Sequence, residues 1–324
     1  MAIQVRVVVT GAGGKLGSEV VRHLTDAGYI VRGVDRRWPD CADEADPGHS
    51  YRWSLPEPPE SMERLTGDLF DDDFRKQAMH GGDALVHLAE IPMLRHGDPP
   101  ASVFADNTRM TSVVMEAAAH AGIRRLVYTS SCQVYGIFGT PLDKARPPVY
   151  LPLDENHPLE PNNAYGCGKV ASEAYCQLIA RQYEATVTAL RPPSVLPDDW
   201  LGRWFRRGRQ NLDSVDGVGS MVYGSDFARA VGRALHREDG RFDAFNVSAA
   251  LSVVGPPLRA FLAERRPDFP PLPADWPDHQ SLFSCARARE ILGWQPLIEP
   301  RLVAQEHMQS LPADPALPAA SSTD

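Results

Sequence analysis

Apolar residues in this chain come in short unbroken runs, separated by stretches in which they recur every three or four positions. Ile3–Thr10, Tyr29–Val34, Ala84–Leu88, Arg125–Thr129 and Thr186–Leu190 are runs rich in β-branched residues, the pattern of strands covered on both faces. Between them Leu16, Val20, Val21 and Leu24 share one helical face, with Gly28 at its end. From Ser102 to His120, Val103, Asn107, Met110, Val114 and Ala118 repeat at helical spacing, and Gly122 closes that helix. Strands alternating with helices predict an α/β fold built on a doubly wound parallel sheet with right-handed crossovers. Further on, Ser220–His236 reads as a strand and a helix, Phe242–Val247 as a short strand, and Val254–Arg266 and Ser284–Leu292 as helices. Residues 38–62, rich in Pro, Asp and Glu, read as an exposed excursion.

The first run leads directly into Gly11-Ala12-Gly13-Gly14-Lys15-Leu16-Gly17. Glycines at 11, 14 and 17 let backbone approach a pyrophosphate, and the helix opening at Lys15 and Leu16 supplies N–H groups and a partial positive charge. Strand, glycine turn and helix in that order predict a dinucleotide site of the Rossmann kind. Asp35, about twenty residues on, is placed to accept hydrogen bonds from an adenosine ribose, which favours NAD. Arg36 and Arg37 follow at once, and an arginine there can hold a 2′-phosphate, so NADP stays open. Asp68 is placed either to meet the adenine or to serve as a turn aspartate.

Tyr165 and Lys169 lie four positions apart, on one face of a helix. If that face looks into a cleft, the ammonium draws the phenol from about pKa 10 towards the working pH and makes it a proton acceptor. The spacing is common by itself. Ser131, just past the run Arg125–Thr129, stands at the mouth of the same cleft, because ligands of such sheets sit beyond the carboxyl ends of the strands.

Together these features resemble the extended short-chain dehydrogenase/reductase family, also called the NAD-dependent epimerase/dehydratase family. Carrying the resemblance are Gly11/Gly14/Gly17, Asp35, Asp68-Leu69, His87-Leu88-Ala89, Asn107, Ser131 through Gly136, Asp154-Glu155, Tyr165/Lys169, Arg191-Pro192, Asp226 and Leu292-Gly293-Trp294-Gln295-Pro296. It covers nearly the whole chain to about residue 305. The resemblance implies a catalytic set of Ser131, Tyr165 and Lys169. Tyr165 exchanges a proton with a substrate hydroxyl, Ser131 hydrogen-bonds the same oxygen, and Lys169 holds the nicotinamide ribose. It also implies cofactor contacts at Leu69, Leu88, Ala89, Asn107 and Pro192, and homodimerisation through the helices holding Asn107 and Lys169.

Departures from the family pattern narrow the chemistry. Cys132 and Gln133 replace the acid pair that sugar dehydratases carry after the catalytic hydroxyl, which argues against elimination. Gly166 and Gly168 put two glycines inside a helix, at about 1 kcal/mol each relative to alanine. Glu90 stands where the family has a small residue, and either touches substrate or faces solvent. Glu90, Ser131, Cys132, Gln133 and Arg203 are the candidate substrate contacts. Arg203 belongs to a cluster with Arg206, Arg207 and Arg209, interleaved with Trp200, Trp204 and Phe205, which reads as a surface helix or as a seat for an anionic substrate. The short interval from Arg191 to Asp226 resembles the uronate dehydrogenase branch more than enzymes that enclose a UDP-sugar. The expected function is NAD(P)-dependent oxidation or epimerisation at a secondary alcohol of a sugar or sugar derivative, with a UDP-sugar 4-epimerase or a silent cofactor-binding sensor as alternatives.

Composition adds bounds. A chain of 324 residues is long for one compact unit. The expected organisation is a dinucleotide-binding domain over 1–190, a smaller substrate-binding domain over 191–310 and a disordered tail over 311–324. The net charge of −9 gives no attraction to nucleic acid or anionic membrane. Five cysteines, odd in number and without paired spacing, argue against a disulfide framework and against a metal site, and fit a cytoplasmic protein. No apolar run reaches the roughly 18 residues of a membrane span, and the first residues lack the pattern of a signal peptide.

Overall fold

The computed structural model describes residues 5–38, 59–91, 99–137, 146–196, 219–254, 256–299 and 301–302. Strands β1 (Arg6–Thr10), β2 (Ile30–Asp35), β3 (Glu63–Thr66), β4 (Ala84–His87), β5 (Arg125–Thr129) and β6 (Thr186–Arg191) alternate with helices α1 (Lys15–Asp26), α2 (Asp72–Met79), α3 (Pro100–His120) and α4 (Ala164–Tyr183). After β7 (Ser194–Leu196) and β8 (Met221–Tyr223) come α5 (Gly224–Ala234), β9 (Phe242–Asn246) and α6 (Leu258–Arg265).

Seven strands form one parallel sheet in the order β3-β2-β1-β4-β5-β6-β9. The order reverses between β1 and β4, and a ligand crevice opens at such a reversal, beyond the carboxyl ends. Val7, Val9, Val86 and Leu190 pack with α1 and α5 on one face, whereas Val8, Leu85, Leu126 and Val187 pack with α2, α3 and α4 on the other. Alternate residues of β1, β4, β5 and β6 therefore fill opposite cores, which is why those runs are largely apolar. The sheet does not stop at residue 190: β9 pairs with β6 from Val187↔Phe242 to Arg191↔Asn246, and α5 packs on α1.

A third apolar cluster draws on two distant stretches of the chain. It joins Val254, Leu258, Phe261 and Leu262 to Cys132, Val134, Tyr135 and Ile137 from the chain after β5. Helix α6 begins four residues later than the periodicity predicts, because Pro256 and Pro257 precede it and Pro257 is its cap. The stretch expected to be a helix from Ser284 is a single π turn, Ala288–Leu292, closed by Gly293 at φ 61°. Beyond it Trp294 is fully buried and donates Nε1–H to Asp226 O at 3.0 Å, while the Asp226 carboxylate takes the N–H groups of Leu297 and Ile298. That pairing holds the chain's later segment against α5.

Candidate active site

The glycine turn is built by close contacts. Gly11 has φ 74°, and a Cβ there would stand 2.8 Å from the backbone of Leu88 and Ala89. A Cβ on Gly17 would stand 2.0 Å from Gly11 O, so neither position admits a side chain. Helix α1 opens at Gly14 with no side-chain cap and no acid in its first turn. A glycine cap puts no side chain over the opening N–H groups, and this glycine-walled helix end fits a pyrophosphate. Lys15 and Leu16 are both half-buried, with Leu16 packed on the core. Asp35 Oδ2 accepts from Gly13 N at 3.0 Å and Oδ1 from Arg37 N at 3.4 Å, which sets the carboxylate over the turn. Arg36 is exposed. Asp68 Oδ1 accepts from Phe70 N at 2.9 Å, the turn role, and Leu69 is buried.

The end of β4 crosses this turn. Leu88 N donates to Thr10 O at 3.1 Å, and Ala89 N to Thr10 Oγ1 at 3.4 Å. His87 is fully buried with Nδ1 2.7 Å from Thr10 Oγ1; burial, aided by the Lys169 charge, pushes its pKa down to about 3. Asn107 on α3 clamps the next residues: its Oδ1 accepts from Ile91 N at 2.8 Å and its Nδ2 donates to Ile91 O at 2.9 Å. It thereby fixes the backbone beside Glu90.

Ser131 follows β5 and starts a short 3-10 turn, Cys132–Tyr135, with its Oγ accepting from Gln133 N at 3.2 Å. Cys132 N donates to Pro192 O at 2.9 Å, joining the ends of β5 and β6, while the Cys132 side chain belongs to the third cluster. Gln133 Oε1 accepts from Asn163 Nδ2 at 3.0 Å, and Asn163 caps α4 by accepting from Gly166 N at 2.8 Å. A Cβ on Gly166 would stand 2.5 Å from Gln133 O. The Ser131 turn and the first turn of α4 therefore meet backbone to backbone, which accounts for Gly166. Gly168 has only ordinary contacts, the nearest 3.8 Å away on Phe104.

Tyr165, half-buried, and Lys169, 2% exposed, occupy the inward side of α4. The Lys169 ammonium lies 5.3 Å from the Tyr165 ring centre and 5.0 Å from that of Tyr128. It forms an ion pair with Glu90 and donates to Thr129 O at 2.5 Å. Glu90 neither reaches out to solvent nor stands free for substrate: its side chain is 9% exposed, and its Oε1 also accepts from Tyr128 Oη at 2.9 Å. This corrects the expected proton affinity of Tyr165. Burial pushes that phenol up, Lys169 opposes it, and Glu90 adds to the rise, leaving the pKa above its ordinary value.

One turn further along α4, Glu173 holds Arg191 through Nε at 2.9 Å and Nη2 at 2.6 Å, and accepts from Ser130 Oγ at 2.5 Å. Arg191 Nη1 reaches Tyr135 Oη at 3.1 Å, which itself donates to Asn246 Oδ1 at 2.6 Å. This buried network ties β5, β6, β9, α4 and the Ser131 turn together. Its sequence signal is the four-residue step from Lys169 to Glu173, which shares the Lys169 face. Arg203 and the arginine cluster around it lie outside the described residues.

A parallel sheet with a glycine turn at its reversal point, and a helix carrying Tyr165 and Lys169 packed on the Ser131 turn, is the Rossmann-like arrangement of the dehydrogenase/reductase class. The chain belongs to the NAD dependent epimerase/dehydratase family, whose model matches residues 7–199. It is similar to a UDP-glucose 4-epimerase of Mycolicibacterium smegmatis, 29% identical over 318 residues that span 90% of this chain and 94% of the relative. An NAD-dependent glucose-6-phosphate dehydrogenase of Haloferax volcanii is 30% identical over 188 residues, covering 57% of this chain and 66% of that one. Among solved structures, a UDP-glucose 4-epimerase of Thermotoga maritima with UDP-glucose superposes with a TM-score of 0.66 at 22% identity, over 94% of this chain and 99% of its own. MoeE5 in complex with UDP-glucuronic acid and NAD gives a TM-score of 0.64 at 23% identity, over 94% and 99% respectively. At these identities the two structures speak for the fold.

Proposed function

We propose that the chain is an NAD-dependent sugar oxidoreductase or epimerase acting by hydride transfer at a secondary alcohol. The observation that carries this reading is Tyr165 and Lys169 stacked on one inward face of α4, against the Ser131 turn and across from a glycine-capped helix end. Gly11, Gly14 and Gly17 with the start of α1 would hold the pyrophosphate of NAD, Asp35 the adenosine ribose and Lys169 the nicotinamide ribose. When bound, NAD supplies the hydride acceptor. Tyr165 takes the proton of the substrate hydroxyl, Ser131 hydrogen-bonds the same oxygen, and Lys169 balances the charge that develops there.

A specific observation favours a second reading, a nucleotide-sugar 4-epimerase: the alignment to the Mycolicibacterium epimerase runs over 94% of that protein. The two readings part on the fate of the cofactor. Accumulation of free NADH with sugars or sugar acids supports a dehydrogenase; interconversion of UDP-sugars with no net NADH supports an epimerase. Exposed Phe104 on α3 and Leu178 on α4, 36% and 42% accessible, support pairing of two copies through these helices. A cytoplasmic site of action is in keeping with the absence of a disulfide among the described residues.

Absorbance of reduced nicotinamide, followed against a panel of free sugars, sugar acids and UDP-sugars, tests the reading. Tyr165→Phe is expected to lower turnover by ~100-fold or more, the usual worth of a positioned base. Turnover within tenfold of wild type would overturn the assignment.

A further inference from the structure

The geometry points to Glu90 as a positioning residue of this site: its carboxylate engages the Lys169 ammonium that would otherwise serve Tyr165 alone. The inference rests on Tyr165 being the base.

An ammonium has three N–H donors. Here one goes to Glu90, one to Thr129 O, and the third side faces Tyr165. Any further hydroxyl on Lys169 must displace one of these. Thr129 O is fixed in the β5 backbone and Tyr165 in the first turn of α4. Glu90 reaches Lys169 from a third element, the chain just past β4. The contact is built from several sides: Tyr128 Oη holds the other carboxylate oxygen, and Asn107 pins Ile91 next door. With the two side chains only 2% and 9% exposed, water screens the pair little.

The other groups about Lys169 do not offset this. Glu173, on the same helix, is engaged by Arg191 and Ser130. His87 from β4 is kept neutral by burial, and Tyr128 from β5 and Cys176 from α4 are held in their protonated forms by burial. Cys132, from the turn after Ser131, adds to the upward push on Tyr165. Glu90 is thus the carboxylate that answers Lys169 among the described residues. With that charge answered, Lys169 has less left with which to stabilise a phenolate.

The test is an ultraviolet titration of tyrosinate in the intact protein, with the curve of Tyr165→Phe subtracted to isolate Tyr165. In Glu90→Gln, which keeps the shape and removes the charge, the Tyr165 phenolate is expected at a pH lower by about one unit or more, the usual effect of one neighbouring charge. The alkaline rise of turnover should move with it. Glu90→Asp, with its carboxylate drawn back by one methylene, should shift the same way by less, and serves in its place if Glu90→Gln does not fold. Superimposable wild-type and variant titrations would overturn the role given to Glu90. If Tyr165→Phe instead retains turnover, the base assignment itself fails, an outcome read independently of the Glu90 variants.

Discussion

Gly166 and Gly168 stand two residues apart on α4, and alanine should have opposite effects at the two. In a helix interior alanine is favoured over glycine by about 1 kcal/mol. At Gly168 nothing offsets this gain, since an added Cβ meets only Phe104, at 3.8 Å. Gly168→Ala should therefore raise the unfolding midpoint by about 2 °C for a protein of this size. At Gly166 the Cβ would lie 2.5 Å from Gln133 O. The Ser131 turn would have to retreat by roughly 1 Å to restore normal contact. Overpacking of that kind costs about 1–3 kcal/mol, which cancels the helix gain and leaves the variant less stable by about 1 kcal/mol. The same displacement moves Ser131 relative to Tyr165, and a 1 Å error in a reacting geometry lowers rates by about 100-fold. Thermal unfolding followed by circular dichroism, together with nicotinamide absorbance, reads both effects. If both variants move the midpoint in the same direction, or Gly166→Ala keeps full turnover, the backbone contact between α4 and the Ser131 turn is not what holds the site.

Two further predictions concern buried charge. His87 titrates at about 3 in the folded chain against 6.5 unfolded, so the unfolded state binds the extra proton between those values. Stability from this group is full above pH 6.5 and is lost as pH falls towards 3, at about 1.4 kcal/mol per unit. Urea midpoints measured from neutral to mildly acid pH should fall less steeply for His87→Asn than for wild type; parallel slopes would show that the imidazole is not held neutral. Arg191→Met strands the Glu173 carboxylate in the interior and is expected to cost about 3–5 kcal/mol. Adding Glu173→Gln should recover part of that loss in urea unfolding, and a double variant no better than the single would refute the pairing as its cause.

β1, β2, β4, β5 and β6 were legible because parallel strands covered on both faces run mostly apolar, whereas β3, Glu63–Thr66, largely exposed at the sheet edge, carries no such run. Arg125–Thr129 matches β5 end for end, and Thr186–Leu190 is one residue short of β6. The glycine turn was legible as well, since Gly11 and Gly17 are positions where backbone touches backbone. The segments after β6 were harder. Phe242–Val247 reads as a further short strand, but its place as the seventh of the sheet, over Phe242–Asn246, was hidden, because pairing between residues about fifty-five apart leaves no periodic trace. Glu90 escaped for the same reason: its partner Lys169 is 79 positions away, and only the folded sheet brings β4 and α4 to one crevice. Tyr165 and Lys169, four apart on one helix, carried their relation in the spacing. The direction of the Tyr165 shift did not follow from it, since that depends on burial and on a third charge.

The third apolar cluster, which joins α6 to the serine turn, has a consequence for anyone redesigning specificity. Phe261 and Leu262 pack into the same apolar body as Cys132 and Val134 of the short turn that Ser131 opens. α6 and the serine turn are one casting, so a C-terminal segment grafted from a relative would also reshape the support beneath Ser131. Chimeras of this protein should be cut in the surface loops and leave that casting whole.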